Sequence, residues 1–309
     1  MKASLGTIAR RALDELGLRD TAIVVATSGG PDSLALLDVL ARLAPARGLR
    51  VRAHGVDHGL RAEAGAELDL AAALAAKLDV PFDRTRVRVP PGGNLQARAR
   101  TARWQALAGA ARRHAAIVAT AHHADDRAET VLLRVFRGAG LRGLAVLPPR
   151  ATALNAPDVT IVRPILRARR ADILAHVDRQ RIVYARDPSN EDARYLRTRV
   201  RRNLMPLLVM LDPQIVAHLG AIADEAGARK PHEMPESWAG RLPRATQDAI
   251  AALRRSGNRE ARVWLPEGLV VMLDQDRSRV SRRESAKSAR LCSSSAPAAS
   301  KETETKWEL

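Results

Sequence analysis

The segment 28–33, with the sequence SGGPDS, has the residue types of a loop that binds phosphate. Its two glycines allow a tight turn in which the backbone can approach a ligand closely. Pro31 suits the first turn of a helix, so Asp32 and Ser33 are expected at a helix N-terminus, where free N–H groups attract an anion. The lysine-containing end of the Walker loop is absent from this segment. An ordinary tight turn is the alternative interpretation.

A second group of polar residues follows at 120–130, with the sequence TAHHADDRAET. His122, Asp126 and Glu129 are spaced i, i+4 and i+7, which predicts that they share one face of a helix. One histidine and two carboxylates can transfer protons or bind a cation. The complementary face is expected to pack against a sheet and consists of Ala128, Val131, Leu132 and Val135.

Two other interpretations of this polar group stay open. His122, His123 and Asp126 could bind a transition metal, since histidine and aspartate are common ligands of such metals. Asp125 or Asp126 could instead cap the predicted helix. Capping by one aspartate does not exclude a role of the other in a site.

Arginines stand in two places where they could contact phosphate. Arg100 and Arg103 lie three residues apart, on one face of a predicted helix. A second set follows residue 190 and consists of Arg194, Arg197, Arg199, Arg201 and Arg202. Arginine forms bidentate hydrogen bonds with phosphate, so both sets are candidate contacts for a nucleotide or for RNA. Ordinary surface charge is the alternative for both.

Short apolar runs alternate with helix-length patterns and predict the scaffold that positions these residues. The predicted strands are Ala22–Ala26, Val51–Val56, Asp83–Val89, Ala116–Ala119 and Val159–Arg163. The predicted helices are Ser33–Leu43, Glu63–Leu78, Leu95–Arg112, Asp125–Arg137, Arg167–Gln180, Thr198–Leu211 and Pro213–Ala228. This alternation predicts an α/β fold, a parallel five-stranded sheet with helices on both faces. The loops after parallel strands meet at one edge of a sheet, which is where we expect the site.

The pattern changes along the chain and predicts three regions. Residues 1–212 are expected to form the catalytic domain, and residues 213–280 a small, basic, helical region. Within that region, residues from about 244 to 276 could form a helix with strands. The segment 281–309 is rich in serine and has no hydrophobic period, so we expect it to be disordered.

Composition narrows the class of protein. The 309 residues carry 51 Lys and Arg against 34 Asp and Glu, a net charge of +17, which fits a polyanionic partner or an arginine-rich coding bias. The single cysteine, Cys292, excludes a disulfide within the chain, a thiolate zinc site and a paired-thiol redox site. No apolar run approaches the ~20 residues that span a bilayer, and the first 17 residues lack the pattern of a signal peptide. These features predict an intracellular, cytoplasmic protein.

The segment SGGPDS after a first strand resembles the loop of the PP-loop ATP pyrophosphatases. That resemblance implies a Rossmann-like PP-loop fold, an adenylated intermediate and a loop that holds pyrophosphate. It also implies ATP and Mg²⁺ as cofactors, with Asp32 in the place of an aspartate that helps to hold the metal ion. The residues that the resemblance assigns to ATP are Ser28, Gly29, Gly30, Pro31, Asp32 and Ser33.

Three further blocks narrow the resemblance. They are HGVDHGLR at 54–61, the polar group at 120–130 continuing into RGAGLRGL at 137–144, and DPSN at 187–190 with Tyr195, Arg197 and Arg199 after it. With the loop, these blocks resemble the tRNA(Ile)-lysidine synthetases over about residues 20–210. The family adenylates the C2 oxygen of the wobble cytidine of the isoleucine tRNA with a CAU anticodon. The ε-amine of free lysine then displaces AMP to give lysidine.

The same resemblance assigns roles to individual side chains. The catalytic residues are Asp32, His122, Asp126 and Arg103, with Arg103 favoured over Arg100. Asp32 and Asp126 are expected to bind Mg²⁺, and Glu129 and Asp126 are expected to bind lysine. Arg194, Arg197, Arg199 and Arg201 are expected to contact tRNA, and the region 213–280 is expected to be a small helical tRNA-binding region.

The chain departs from the family pattern at several points, and two other functions are alternatives. Arg127 stands for a common glutamine, Trp104 for a tyrosine and Thr198 for an asparagine, and the C-terminal region is short. Another PP-loop ligase that modifies tRNA or forms amides is the alternative enzyme, and an RNA-binding protein without catalysis is the alternative from another class. Sulfur-inserting relatives commonly use cysteines or a metal–sulfur cluster, which the lack of cysteine before Cys292 disfavours.

Overall fold

The structure is a computed structural model that describes residues 3–57, 59, 64–89, 93, 95–153, 156–185, 196–228, 244–256, 263–264, 269–274 and 277–282. The chain divides into two compact units. The first consists of Met1–Leu133 and Leu144–Ala228, and the second of Arg134–Gly143 and Arg229–Leu309.

The first unit contains a six-stranded sheet. Its strands are β1 (Ala22–Thr27), β2 (Arg50–Asp57), β3 (Phe82–Arg86), β4 (Ile117–Ala119), β5 (Arg150–Ala153) and β6 (Ala156–Val162). They are arranged in the order β3-β2-β1-β4-β6-β5. The pairs β1–β2, β1–β4, β2–β3 and β4–β6 are parallel, which confirms the predicted parallel sheet.

The strand β5 was not predicted and pairs antiparallel with β6 at one edge of the sheet. Its four residues, Arg-Ala-Thr-Ala, have little of the apolar, β-branched character that marks a strand in a sequence. Its pairing with β6, in which Arg150 lies opposite Val162 and Ala153 opposite Ala156, makes it a strand although its own composition does not indicate one.

Helices connect the strands and follow them. They are α1 (Leu5–Glu15), α2 (Pro31–Leu43), α3 (Ala64–Lys77), α4 (Leu95–Arg113), α5 (Ala124–Phe136), α6 (Arg170–Arg179), α7 (Leu196–Arg199), α8 (Met205–Leu211) and α9 (Ile215–Ala228). The predicted helix Thr198–Leu211 is interrupted by a π-helical turn, Val200–Leu204, between α7 and α8. Pro206 stands just after this turn and has no N–H to donate to a preceding carbonyl, which accounts for the change in hydrogen bonding.

The two faces of the sheet are covered by different helices, as predicted. Val118 of β4 and Ile161 of β6 pack with Trp104 of α4. Their neighbours Ala119 and Val162 lie in the larger core cluster, with the apolar side chains of α1, α2 and α6. This alternation follows from the two-residue period of a strand and fixes which strand residues support each helix layer.

The apolar face of α5 packs differently from the prediction. Ala128 and Val131 are buried, but their core cluster consists of Val146 and side chains from α8, α9 and the π-helical turn, not of sheet residues. Val135, which was expected to face the sheet, is 50% exposed. The prediction was wrong here because α9 supplies an apolar surface, including Val216, that competes with the sheet for this helix.

Because α9 packs against α5, the first unit ends later in the chain than predicted. The sequence predicted a boundary after residue 212, but α9 lies in the first unit, which ends at Ala228. Val216, Leu219 and Ala223 of α9 are buried in the cluster around α5. A helix that buries its apolar stripe against the catalytic helices belongs to their folding unit.

The second unit contains α10 (Arg244–Ser256) and a three-stranded antiparallel sheet of β7 (Val263–Trp264), β8 (Leu269–Asp274) and β9 (Arg277–Arg282). The helix with strands predicted from about 244 to 276 is present, so the region 213–280 is not purely helical. Ser281 and Arg282, the start of the predicted disordered tail, pair with Val270 and Leu269 in this sheet. The rest of the tail, with Cys292, lies outside the described residues.

Among the described residues, no single helix is long and apolar enough to cross a membrane. One bent pair, Leu196–Leu211 with Ile215–Ala228, passes that test by length and composition only, with a 100° bend between its parts.

A buried polar network joins α2 to α6. Asp38 is 1% exposed and His176 is 4% exposed, and their Oδ2 and Nε2 atoms lie 2.9 Å apart. Arg42 donates from Nε to the same Oδ2 at 2.8 Å. Burial raises the pKa of Asp38, but the hydrogen bonds from His176 and Arg42 outweigh it and lower the pKa below its usual value.

Replacing Asp38 with asparagine should lower the free energy of unfolding at pH 7 by about 2–3 kcal/mol, because the buried His176 and the exposed Arg42 lose the carboxylate. The pKa of Asp38 is lower in the folded state than in the unfolded state. The stabilisation is therefore present above about pH 4 and is lost as the pH falls through the folded pKa. Urea unfolding of both proteins between pH 7 and pH 3 measures this difference, which should shrink with acidification.

Asp158→Asn is the matched control, because Asp158 forms an exposed ion pair with Arg112. It should change the unfolding curve little at any of these pH values. A difference between wild type and Asp38→Asn that grows as the pH falls would contradict the assigned sign.

Candidate active site

The predicted site residues meet at the carboxyl edge of the central strands. The segment 28–33 follows β1, the segment 120–123 follows β4, and Arg163 follows β6. β1 and β4 are neighbours in register, with Val25 opposite Ala119, so the first two segments leave the sheet side by side. Parallel pairing thus joins two motifs that lie about 90 residues apart in the sequence.

Side chains and backbone close the loop at 28–33 on itself. Ser33 donates from Oγ to the carbonyl of Gly30 at 3.0 Å, and the N–H of Ser28 donates to Ser33 Oγ at 3.1 Å. Gly29 has φ +75°, and a Cβ there would collide with the backbone carbonyl of Glu67. Both the backbone conformation and the close approach of α3 therefore require glycine at this position.

The N-terminus of α2 faces the loop without a side-chain cap. Gly30 occupies the N-cap position and makes no side-chain cap hydrogen bond. The N–H groups of Asp32 and Ser33 lie in the first turn, where a helix offers them no carbonyl four residues earlier. This arrangement has the free donors and the dipole of an anion-binding helix end.

Asp32 is the acidic residue of this helix end. Burial raises its pKa, although His123 and Arg170 act in the opposite direction. Its Oδ1 atom is buried and has no hydrogen-bond partner. Its Oδ2 atom lies 3.9 Å from His123 Nε2 and 3.8 Å from an Arg170 nitrogen. A buried carboxylate oxygen without a partner is available to a ligand cation.

His123 lies among three carboxylates, and sequence analysis gave it no site role beyond the metal alternative. Its ring is 1% exposed, with Nε2 at 3.4 Å from Asp126 Oδ2 and Nδ1 at 3.6 Å from Asp125 Oδ2. Burial lowers the pKa of His123, but Asp125, Asp126 and Asp32 outweigh burial and raise it. The ring therefore links the acid of the loop to the acids of α5.

His122 has the opposite environment. The Thr120 hydroxyl and His122 Nδ1 share a hydrogen bond of 2.9 Å. Burial, followed by the positive charge of Arg163, lowers the pKa of His122 to about 3. The ring is therefore neutral at physiological pH, and with Thr120 as donor its proton is on Nε2. Since α5 begins at Ala124, His122 precedes the helix and does not share its face with Asp126 and Glu129 as predicted.

The acid pair of α5 is already paired with arginines in this structure. Arg201 donates from Nε and Nη2 to Glu129 at 2.6 and 2.9 Å, and Arg197 donates from Nε to Glu129 at 3.1 Å. Asp126 Oδ1 accepts from Arg197 at 2.8 Å and from Arg201 at 3.3 Å. Glu129 is 2% exposed. The family resemblance assigned these arginines to tRNA and these acids to lysine, but the sequence did not predict the contact between them.

The other predicted arginines lie in several places, and Arg202 is exposed in the π-helical turn. Arg199 is exposed and makes no ion pair with any described residue. Arg194, the block at 187–190 and Tyr195 lie outside the described residues. Arg100 and Arg103 project from the first turns of α4, with the Arg100 guanidinium 5.9 Å from the centre of the Trp104 ring.

A magnesium ion would find suitable donors at Asp32 and Asp126. Mg²⁺ is usually held by one or two carboxylates together with water and substrate phosphates. Both aspartates approach His123 Nε2, and Asp32 Oδ1 is buried without a partner, so the two carboxylates fit that donor set. Among the described residues, no group of three or more His, Cys, Asp or Glu is arranged to hold a metal ion.

The geometry of the loop agrees with a comparison of sequence families. A sequence model of the PP-loop domain matches residues 5–208, about two thirds of the chain. The chain belongs to the PP-loop domain family. The matched range of this family includes the loop, the sheet, α5 and the arginines of α7, and it ends before α9.

Two curated PP-loop relatives carry a more specific name. The tRNA(Ile)-lysidine synthase of Novosphingobium aromaticivorans is 41% identical over 219 residues, which cover 71% of this chain and 65% of that protein. The tRNA(Ile)-lysidine synthase of Rhodopseudomonas palustris is 46% identical over 191 residues, which cover 60% of this chain and 54% of that protein. The chain therefore spans between about half and two thirds of the length of these relatives.

A solved structure confirms the fold of the PP-loop domain. The U34-tRNA thiolase NcsA from Methanococcus maripaludis superposes with a TM-score of 0.62 over 75% of this chain and 82% of that chain. The two sequences are 15% identical. At this identity the likeness concerns the fold alone.

Replacing Arg201 with methionine should lower the free energy of unfolding by about 2–3 kcal/mol, because Glu129 would stay buried with one partner fewer. The double variant Arg201→Met, Glu129→Gln should recover part of that loss, since it removes the buried charge itself. Urea unfolding of the single and double variants measures the coupling. Arg199→Met is the control, as Arg199 is exposed at the end of α7, two residues before Arg201. Strictly additive losses of stability would count against the buried ion pair.

Proposed function

We propose that this chain adenylates the C2 oxygen of the wobble cytidine in the isoleucine tRNA with a CAU anticodon and then joins free lysine to it. The observation that carries the proposal is the meeting of the phosphate loop after β1 with the acid and histidine cluster after β4. The names of the curated relatives and the membership in the PP-loop family support it.

The first step needs positive charge around the triphosphate and no protein nucleophile. In it, the cytidine oxygen attacks the α-phosphorus of ATP, the bond to the β-phosphate breaks, and pyrophosphate leaves. The loop at 28–33 and the N-terminus of α2 would bind that pyrophosphate. Asp32 and Asp126 would hold Mg²⁺, which neutralises phosphate charge when bound.

A neutral His122 suits this step as a hydrogen-bond donor. With the ring proton on Nε2, it can donate to an oxygen on which negative charge develops without first losing a proton of its own. A donor of this kind acts by electrostatic stabilisation, which is consistent with a pKa of about 3 and not with general-base catalysis near neutral pH.

The second step needs a site for lysine that leaves its ε-amine free to attack C2. The amine displaces AMP, the C2–O bond breaks, and the amine loses a proton. Asp126 and Glu129 supply negative charge and Arg197 and Arg201 supply positive charge. A free amino acid likewise has one ammonium and one carboxylate group. We propose that the acids bind the α-ammonium group and the arginines the carboxylate, so that lysine exchanges for part of the internal ion pairs.

Radiolabelled lysine supplied with ATP and the CAU-anticodon tRNA transcript tests the function. Label should enter the RNA, one pyrophosphate should be released for each lysine, and nucleoside analysis should give lysidine at the wobble position. Ammonium and ornithine are the competing nucleophiles. If ammonium replaces lysine, or if pyrophosphate is released without label entering the RNA, another PP-loop ligase is the better assignment. If no pyrophosphate is released with any RNA, a non-catalytic RNA-binding protein is favoured.

Asp32→Ala should abolish pyrophosphate release, because it removes the buried carboxylate at the loop. The melting temperature should fall little or rise, since burial of this charge is unfavourable in the absence of ligand. Pyrophosphate release and thermal unfolding of the same preparation measure both effects. Turnover at the wild-type rate would remove Asp32 from the mechanism.

His122→Ala should slow adenylation by about 10²–10³-fold, the usual loss for one donor to a developing charge. Single-turnover formation of adenylated tRNA measures the rate, and filter binding measures RNA affinity, which should stay within about twofold. His218→Ala is the control, because His218 is an exposed residue of α9 paired with Asp212. A fall in affinity as large as the fall in rate would make His122 a binding residue instead.

A further inference from the structure

Arg163 stands beside the candidate site and has no role so far. It follows β6 directly, and the N–H of Thr120 donates to the carbonyl of its neighbour Val162 at 3.0 Å. His122 is two residues beyond Thr120. The last hydrogen bonds between β4 and β6 therefore bring Arg163 next to the histidine of the site.

The Arg163 guanidinium is buried but only partly paired. The side chain is 6% exposed, and Nη1 donates to the carbonyl of Pro148. Nε is buried without a hydrogen-bond partner, and among the described residues Nη2 makes no hydrogen bond and no carboxylate forms an ion pair with it. Burial, followed by Arg100 and Arg127, lowers the pKa of Arg163 to about 10, so the group stays charged. A buried charge without a counter-charge is unfavourable unless a ligand supplies one.

Arg103 and Arg100 belong to α4, which packs on the two strands β4 and β6. Trp104 packs on Val118 and Ile161, which places this turn of the helix over the ends of β4 and β6. Arg103 makes no ion pair within the described part of the chain, and burial, then the charge of Arg100, lowers its pKa. Arg163, Arg103 and Arg100 all lower the pKa of His122, which supports the cationic recess beside it that the strand ends and the packing of α4 indicate.

We propose that Arg163 and Arg103 form a second phosphate subsite, separate from the loop at 28–33 and beside His122. The proposal rests on the function proposed above. A phosphate is the ligand that best fits two forked guanidinium groups, and the loop after β1 lies only two strand positions away, about 10 Å. On the other side of β1, β2 ends in Asp57, a carboxylate that repels phosphate.

Two sources could supply this phosphate. The α-phosphate of ATP would lie in the recess while pyrophosphate occupies the loop, or a phosphodiester next to the target cytidine would enter it. In either case the guanidinium groups would stabilise negative charge where His122 also donates, and the buried charge of Arg163 would be neutralised on binding.

Isothermal titration of the full chain with AMP, with pyrophosphate and with the unmodified tRNA transcript tests the subsite. The variants are Arg163→Met and Arg103→Met, with Arg112→Met as control, since Arg112 lies at the far end of α4 in an exposed ion pair. Each site variant should lower the affinity for AMP or for tRNA about tenfold or more and leave the affinity for pyrophosphate within about twofold. Arg112→Met should leave all three unchanged.

The pattern of losses decides the source. A loss confined to AMP assigns the subsite to ATP, and a loss confined to tRNA, with a salt slope reduced by about one, assigns it to an RNA phosphate. Unchanged AMP and tRNA affinities, or an equal loss for pyrophosphate, would overturn the proposal. If Arg163→Met does not fold, Arg103→Met decides by the same criteria. None of these titrations needs lysine transfer. If the lysine assay fails but the variants selectively lose affinity for AMP or tRNA, the proposed function is rejected and the subsite is kept.

Discussion

The parallel pairing of β1 with β4 is the constraint on which the site depends. β4 has only three residues, yet its register with β1 and β6 fixes where three loops leave the sheet. The phosphate loop, the histidines and Arg163 each belong to a different strand end. None of them could meet if β4 paired elsewhere, since each loop is held only by the strand before it and the helix after it.

Charge burial is the second feature that organises this edge. His123 sits among three carboxylates, while His122, one residue earlier, sits among arginines, and their pKa values move in opposite directions. The two shifts differ because the ring of His123 faces the acids of α2 and α5, whereas the ring of His122 faces arginines of α4 and the end of β6. The lowered pKa of His122 suits hydrogen-bond donation by a neutral ring, and the raised pKa of His123 reflects the carboxylates around it.

Sequence reasoning succeeded where the determinants are local. The segment 28–33 carries its loop, its glycines and its helix start in six residues, and the apolar runs of β1, β2 and β6 mark the parallel sheet. It failed where contacts join distant segments. The pairing of Glu129 with Arg201 spans 72 residues. The strand β5 was missed for a different reason, because its composition is hardly strand-like. Arg163 was passed over because a single arginine after a strand has no pattern until its neighbours are known.

Arg127 shows how one departure from the family pattern is absorbed by the fold. It replaces a common glutamine, is 6% exposed, and donates from Nε to the carbonyl of Val146 at 3.1 Å. Its Nη2 atom pairs with Asp224 of α9 at 2.8 Å. A glutamine is shorter and uncharged, so the arginine creates a link between α5 and α9 that the common residue would lack. The link and the apolar cluster around Val216 act together, and they explain why α9 belongs to the unit that carries the acids of α5. The orientation of Asp126 and Glu129 is thus determined from two sides, by the sheet edge that starts their helix and by the helix that packs behind it.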